Sequence, residues 1–131
     1  MALSFPWPTT EGEWLAWTSA AITVAFGLML MFAPRLSFRL LRLQAREGRP
    51  TAIGEARSTM SGFYLGLGIC CLLTAQPWLY MGLGFSWAFT AFGRLISMMS
   101  DGANTPYNWL RFAIEGILAA LSLVFVFGLI P

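Results

Sequence analysis

The sequence predicts an all-α membrane protein: four transmembrane helices in an antiparallel up-down bundle, with a short Arg-rich interfacial helix between the first and second. Three observations predict it. Hydrophobic residues make up 57% of the 131 and charged residues only 11%, against roughly 25% charged in an ordinary soluble domain. A soluble chain this short has too much surface to cover with so few charges. Four runs approach the about 20 mainly apolar residues that a helix needs to cross a bilayer. The basic residues, all of them arginine, gather toward one end of those runs.

The first span is expected over 14–32, closed by Pro34. The preceding "MALSFPWPTTEGEW" lacks the basic n-region and cleavage site of a signal peptide, so the N-terminus is expected to be mature. The second span is expected over 58–75 and ends at Gln76-Pro77; the third is expected over 78–99 and ends in "SDGANTPYN". The fourth is expected over 109–130. All four form a single domain, 1–131. Long unbroken apolar runs fit helices, which satisfy their own backbone in lipid. The second and third spans are joined so briefly that a tight antiparallel hairpin is expected. A polar turn with Asp-Gly and Thr-Pro signals joins the third and fourth.

The first connection, "PRLSFRLLRLQAREGRP", carries Arg35, Arg39, Arg42, Arg46 and Arg49. Their 4-3-4-3 spacing puts them within about 80° of one another on a helix. Gly48 and Pro50 supply a stop. The expected element is a helix at the membrane surface, its arginines toward anionic lipid headgroups or a partner. Ser37 and Gln44 lie opposite the stripe and leave room for packing on protein. By the positive-inside rule, the first and third loops are cytoplasmic and both termini periplasmic. Trp7, Trp14, Trp17, Trp78 and Tyr80 then fall near the outer interface, and Tyr107 and Trp109 near the inner one.

Each span carries one stripe of small or polar residues, the kind of face that lets helices approach closely in lipid. The stripes are Ser19, Thr23 and Gly27; Ser58, Gly62, Gly66, Cys70 and Thr74; Gly82, Ser86, Thr90 and Arg94; and Arg111, Glu115, Ala119 and Ser122. Arg94 lies about 7.5 Å before the end of its span, and Glu115 about 9 Å into the next from the same side. A charge at mid-membrane costs about 2.5–3.5 kcal/mol on insertion scales, so an opposite partner is expected. Glu55, Arg57, Asp101 and Arg111 enter the same layer, giving three acids and three arginines whose formal charges cancel. The layer reads either as a register-fixing ion network, or as a pocket for a headgroup, a quinone-like molecule or a small anion, or as a proton relay.

Several classes of chemistry are disfavoured. The sequence holds no histidine, the commonest general base and neutral metal ligand. The adjacent Cys70 and Cys71 form neither a CxxC motif nor an ordinary disulfide and are expected to be small buried hydrophobes. No catalytic residue, metal site or cofactor is expected. A net charge of +2, placed at membrane ends, does not suggest nucleic acid.

"GEAR" (Gly54–Arg57) opening the second span, Gly62, "GRLIS" (Gly93–Ser97), Asp101-Gly102 and Glu115 together resemble a family of small bacterial inner-membrane proteins of unknown function with four helices. The resemblance covers the second to fourth spans. It implies four helices and a bacterial inner membrane, and no activity. With no soluble domain and no catalytic constellation, the leading expectation is a non-catalytic membrane protein. It would serve as an accessory or assembly subunit, among other membrane subunits or self-associated. The alternative is a small oligomeric transporter or channel, or a binder of a lipid or quinone-like ligand, that uses the cytoplasmic-side polar layer.

Overall fold

The computed structural model describes residues 7–43, 54, 56–102 and 104–129. Its elements are α1 (Glu11–Phe32), α2 (Pro34–Leu41), a π-helical turn (Ala56–Met60) running into α3 (Ser61–Thr74), α4 (Pro77–Ser100) and α5 (Pro106–Val126). Among the described residues there is no strand. Local chemistry sets the ends. Thr10 Oγ1 accepts from the Glu13 N–H at 3.2 Å, and the Glu13 carboxylate accepts from the Thr9 N–H at 3.1 Å. Together they start α1 in the manner of a capping box. Pro34, Pro77 and Pro106 each open a helix, where the missing N–H is no loss. α5 begins three residues earlier than its apolar run. It stops at Val126, because Gly128 turns left-handed (φ 73°) and Leu129 N–H closes on Val124 O at 2.9 Å.

The Arg-rich helix is shorter than expected. It ends at Leu41, where Arg42 adopts φ 56° and Leu43 N–H returns to Phe38 O at 2.8 Å. Arg35 and Arg39 ride its exposed face, while Ser37 and Phe38 turn inward. Ser37 is satisfied by the Ala33 carbonyl at 2.8 Å. Arg42 is the terminator, not part of a continuing stripe. Arg46 and Arg49, with Gln44, Gly48 and Pro50, lie outside the described residues.

The long helices form a ring in the order α3, α1, α5, α4, and the ring closes lightly where α3 meets α4. The expected α3–α4 hairpin is therefore tight in its link and loose in its packing. The link turns on Ala75, a non-glycine residue at φ 52°, followed by Gln76 and Pro77. A left-handed conformation costs an L-residue about 1–2 kcal/mol. Ala75→Gly is expected to stabilise the fold by about 0.5–1 kcal/mol, after allowing for glycine's freer unfolded state. Thermal melting in detergent would measure it.

Close packing falls on glycines other than most of those in the expected stripes. A Cβ at Gly68 would lie 2.7 Å from Val24 Cγ2 of α1, and one at Gly84 would lie 2.6 Å from Leu123 Cγ of α5. Gly27, in the expected α1 stripe, is the third such site, against Leu65. Around Gly62, Gly66 and Gly82 a Cβ would meet nothing within 4 Å. The α3 stripe Ser58, Gly62, Gly66, Cys70 and Thr74 faces outward along its whole length, and α3 packs instead through Ser61, Gly68 and Cys71. Cys70 is accordingly exposed rather than buried. The α1 stripe and the Glu115, Ala119 and Ser122 face of α5 do turn inward. Tyr80, in the first turn of α4, is buried against Phe125, edge to face at 5.7 Å.

A thread of hydroxyls ties the ring at its middle. Trp87 Nε1 donates to Thr23 Oγ1 (2.9 Å), Thr23 donates to Ser19 O (2.8 Å), and Ser19 donates to Leu118 O (2.8 Å). The thread runs from α4 through α1 to α5. Ser122 Oγ has no partner among the described residues; the carbonyl one turn back, the usual acceptor for a helical serine, already receives Ser19. Thr23→Val would leave the Trp87 N–H unpaired. The expected cost is about 1–2 kcal/mol, read as a lower melting temperature in detergent.

Two of the four expected spans, α1 and α5, are long and apolar enough to cross a membrane. α3 has 14 residues, which reach only about 21 Å. α4 is long enough at 24 residues, but tryptophan, tyrosine, glycine, serine and Arg94 dilute its apolar character.

Candidate functional site

Glu115 anchors the site. It stands two and a half turns into α5, 1% exposed, and turns toward α4. Arg94 meets it as a two-pronged fork, Nε to Oε1 at 2.8 Å and Nη2 to Oε2 at 2.9 Å. Parallel charge-assisted bonds of this kind are the strong form of the pair. Arg94 Nη1 also donates to Asn108 Oδ1 at 2.9 Å. Arg111, one turn before Glu115, donates to Oε2 at 3.2 Å and to the Tyr107 hydroxyl at 3.1 Å. Tyr107 donates onward to the Leu40 carbonyl at 2.7 Å, and the Arg42 guanidinium sits 4.4 Å above its ring. The end of α2, the last turns of α4 and the first turns of α5 are thus joined by one network. It places the start of α5 and the end of α4 at the same end of the bundle as α2, where Met60 and Tyr64 also pack on Leu30 and Phe38.

The early start of α5 makes this geometry possible. Tyr107, Arg111 and Glu115 stand at i, i+4 and i+8, with Asn108 beside them, so one helical face presents all four. The sequence marks Tyr107 only as an interfacial aromatic and does not single out Asn108, because the apolar run begins after them. The i, i+4 ladder leading to Arg111 and Glu115 was the available signal.

Not all six residues of the expected polar layer come together. Arg94, Arg111 and Glu115 do. Arg57 and Asp101 are exposed and make no ion pair among the described residues; Asp101 is the C-cap of α4. Glu55 lies outside the described residues. Among the described residues the cluster therefore holds two guanidinium groups and one carboxylate, a surplus of one positive charge.

A cavity of about 200 Å³ opens beside the cluster. Phe26, Met29, Leu30 and Met60 form an apolar wall, while Arg94, Arg111 and Glu115 form a charged one. Tyr64 and Trp87, stacked with centroids 5.6 Å apart, line it between them. Among the described residues no three His, Cys, Asp or Glu side chains gather in a way that could hold a metal ion.

The family model for a domain of unknown function, DUF4345, matches residues 13–126. The chain belongs to the DUF4345 family. The DUF4345 match runs from α1 through α5, so it takes in the first helix and the Arg-rich connection as well as the helices that carry the ion cluster. No curated protein and no solved structure matches the chain.

Proposed function

We propose that this DUF4345 chain is a non-catalytic protein of a bacterial inner membrane that crosses it four times and holds a lipophilic ligand in its internal cavity. The arginines mark the cytoplasmic end, by the positive-inside rule, and both termini lie on the periplasmic side. The crossing by α3 includes the π-helical turn. Outward-facing Phe63 on the short α3, and Phe85, Phe89 and Phe92 on the less apolar α4, suit lipid. The observation that carries ligand holding is the cavity, with one apolar and one charged wall, because a purely structural ion network needs no space beside it. Apolar pockets with a few convergent polar groups are the usual form of a small-molecule site. The test is purification in a mild non-ionic detergent, followed by mass spectrometry of the lipophilic molecules that remain bound. Met60→Trp, which fills the cavity, is expected to leave the protein empty; equal retention by both proteins refutes the reading.

A second reading, an accessory subunit of a larger membrane complex, is favoured by the outward stripe of Gly62, Gly66 and Cys70. Small residues of this spacing commonly seat another helix. Gly66→Leu would then strip the chain of co-purifying partners, and a chain that always purifies alone counts against this reading.

A further inference from the structure

We infer that the cavity recognises a singly charged oxyanion carried on one apolar tail, a long-chain carboxylate being its simplest form, through Arg111, Arg94 and the Tyr64 hydroxyl. The inference rests on the ligand-holding reading above and adds the chemical class of the ligand.

Charge is the first ground. Among the described residues, two guanidinium groups face one carboxylate in a cavity whose other wall is apolar. Electrostatic attraction there is far stronger than in water. One further negative charge completes the balance. A phosphate monoester, at about −1.5 to −2 near neutral pH, overshoots it; a carboxylate matches it.

Unused donors are the second ground. A guanidinium carries five N–H groups. Arg94 uses three in the bonds described above, and Arg111 uses two. Among the described residues Arg111, which lines the cavity, therefore leaves most of its donors unused. The Tyr64 hydroxyl makes no hydrogen bond among the described residues, although its ring is fixed on Trp87 and it lies within electrostatic reach of Arg111, Glu115 and Arg94. A donor on the wall of the same cavity as two cations suits an acceptor that carries negative charge.

Size is the third ground. About 200 Å³ falls below the roughly 300–1,000 Å³ of pockets that engulf drug-sized ligands. The cavity takes a compact head and the first part of a tail, not a glycerol-based headgroup. Phe26, Met29, Leu30 and Met60 are placed to receive that tail.

The test uses the full chain in a non-ionic detergent with radiolabelled laurate. Laurate is expected to bind saturably. Dodecanol, with the same tail and no charge, is expected to displace it at least about tenfold more weakly, as the loss of a charged hydrogen bond implies. Dodecyl phosphate is expected to be weaker than laurate, and acetate not to compete at matching concentration. Arg111→Gln spares the Arg94–Glu115 fork and removes the surplus charge. It is expected to weaken laurate about tenfold or more while dodecanol is unchanged. Tyr64→Phe is expected to weaken laurate severalfold with an unchanged melting temperature. Equal binding of dodecanol and laurate overturns the anion assignment and leaves the ligand-holding reading standing. Undiminished laurate binding by a folded Arg111→Gln protein overturns it too. Competition by acetate as strong as that by laurate overturns the tail. If no lipophile binds, the ligand-holding reading itself fails.

Discussion

Glu115→Ala is expected to destabilise the folded protein by about 3 kcal/mol or more, within the range for breaking a buried ion pair from one side. The carboxylate accepts three guanidinium bonds and is almost wholly buried. Its loss leaves Arg94 and Arg111 facing each other with nothing between. The side chains of both arginines are 21% exposed, which places the effect toward the lower end of that range. The measurement is unfolding in mixed micelles, with the yield of monodisperse protein as a second readout. Arg94→Gln combined with Glu115→Gln should recover more than half of the loss. That pair of changes replaces an ion pair by two neutral amides and returns the cluster to its original surplus of one charge. A double variant as unstable as Glu115→Ala would mean that the fork is not the stabilising unit.

The second large effect separates two glycines on one helix. Gly68→Ala is expected to cost about 1–3 kcal/mol, as overpacking does. Its Cβ would meet Val24 Cγ2 at 2.7 Å, Ala20 O at 3.2 Å and Val24 N at 3.3 Å. Two of those atoms are backbone, and the third belongs to a β-branched side chain with few rotamers, so α1 itself must shift. Gly66→Ala, two positions away, has open space around it and is expected to be neutral or to gain up to about 1 kcal/mol of helix propensity. Thermal melting of the two variants side by side decides it. Similar losses at both positions would mean that another chain covers the outward face of α3 in the protein as purified.

The register of charge was legible in the sequence: Arg94 and Glu115 could be set at one depth from helix rise alone, and they meet. The inward faces of α1 and α5 could also be read, since Ser19, Thr23, Gly27, Glu115 and Ser122 stand out against apolar neighbours. The α3 face misled. Its glycines repeat every four residues, yet packing is decided by which side chains can interdigitate, and Leu65 and Val24 fit against Gly27 and Gly68 instead. Spacing reports that a face is narrow, not which partner it meets. The end of the Arg-rich helix was hidden for a different reason. Arg42 takes a conformation normally left to glycine while its guanidinium rests on Tyr107, and that ring comes from 65 residues further along the chain. Tyr64 and Trp87 are ordinary apolar positions until α3 and α4 face each other across the cavity.

The strongest packing joins α1 with α3 and α4 with α5. The molecule is therefore two closely packed helix pairs meeting along a seam, with only a two-residue strap at Ala75 and Gln76 between them in the chain. The cavity lies on that seam. Most of its apolar lining comes from α1, α2 and the start of α3, and among the described residues its charged groups come from α4 and α5. An occupant would touch both halves at once, so its presence would be felt as the strength with which the halves hold together. A chain severed at Gln76 would turn ligand binding into a measurable association of two fragments.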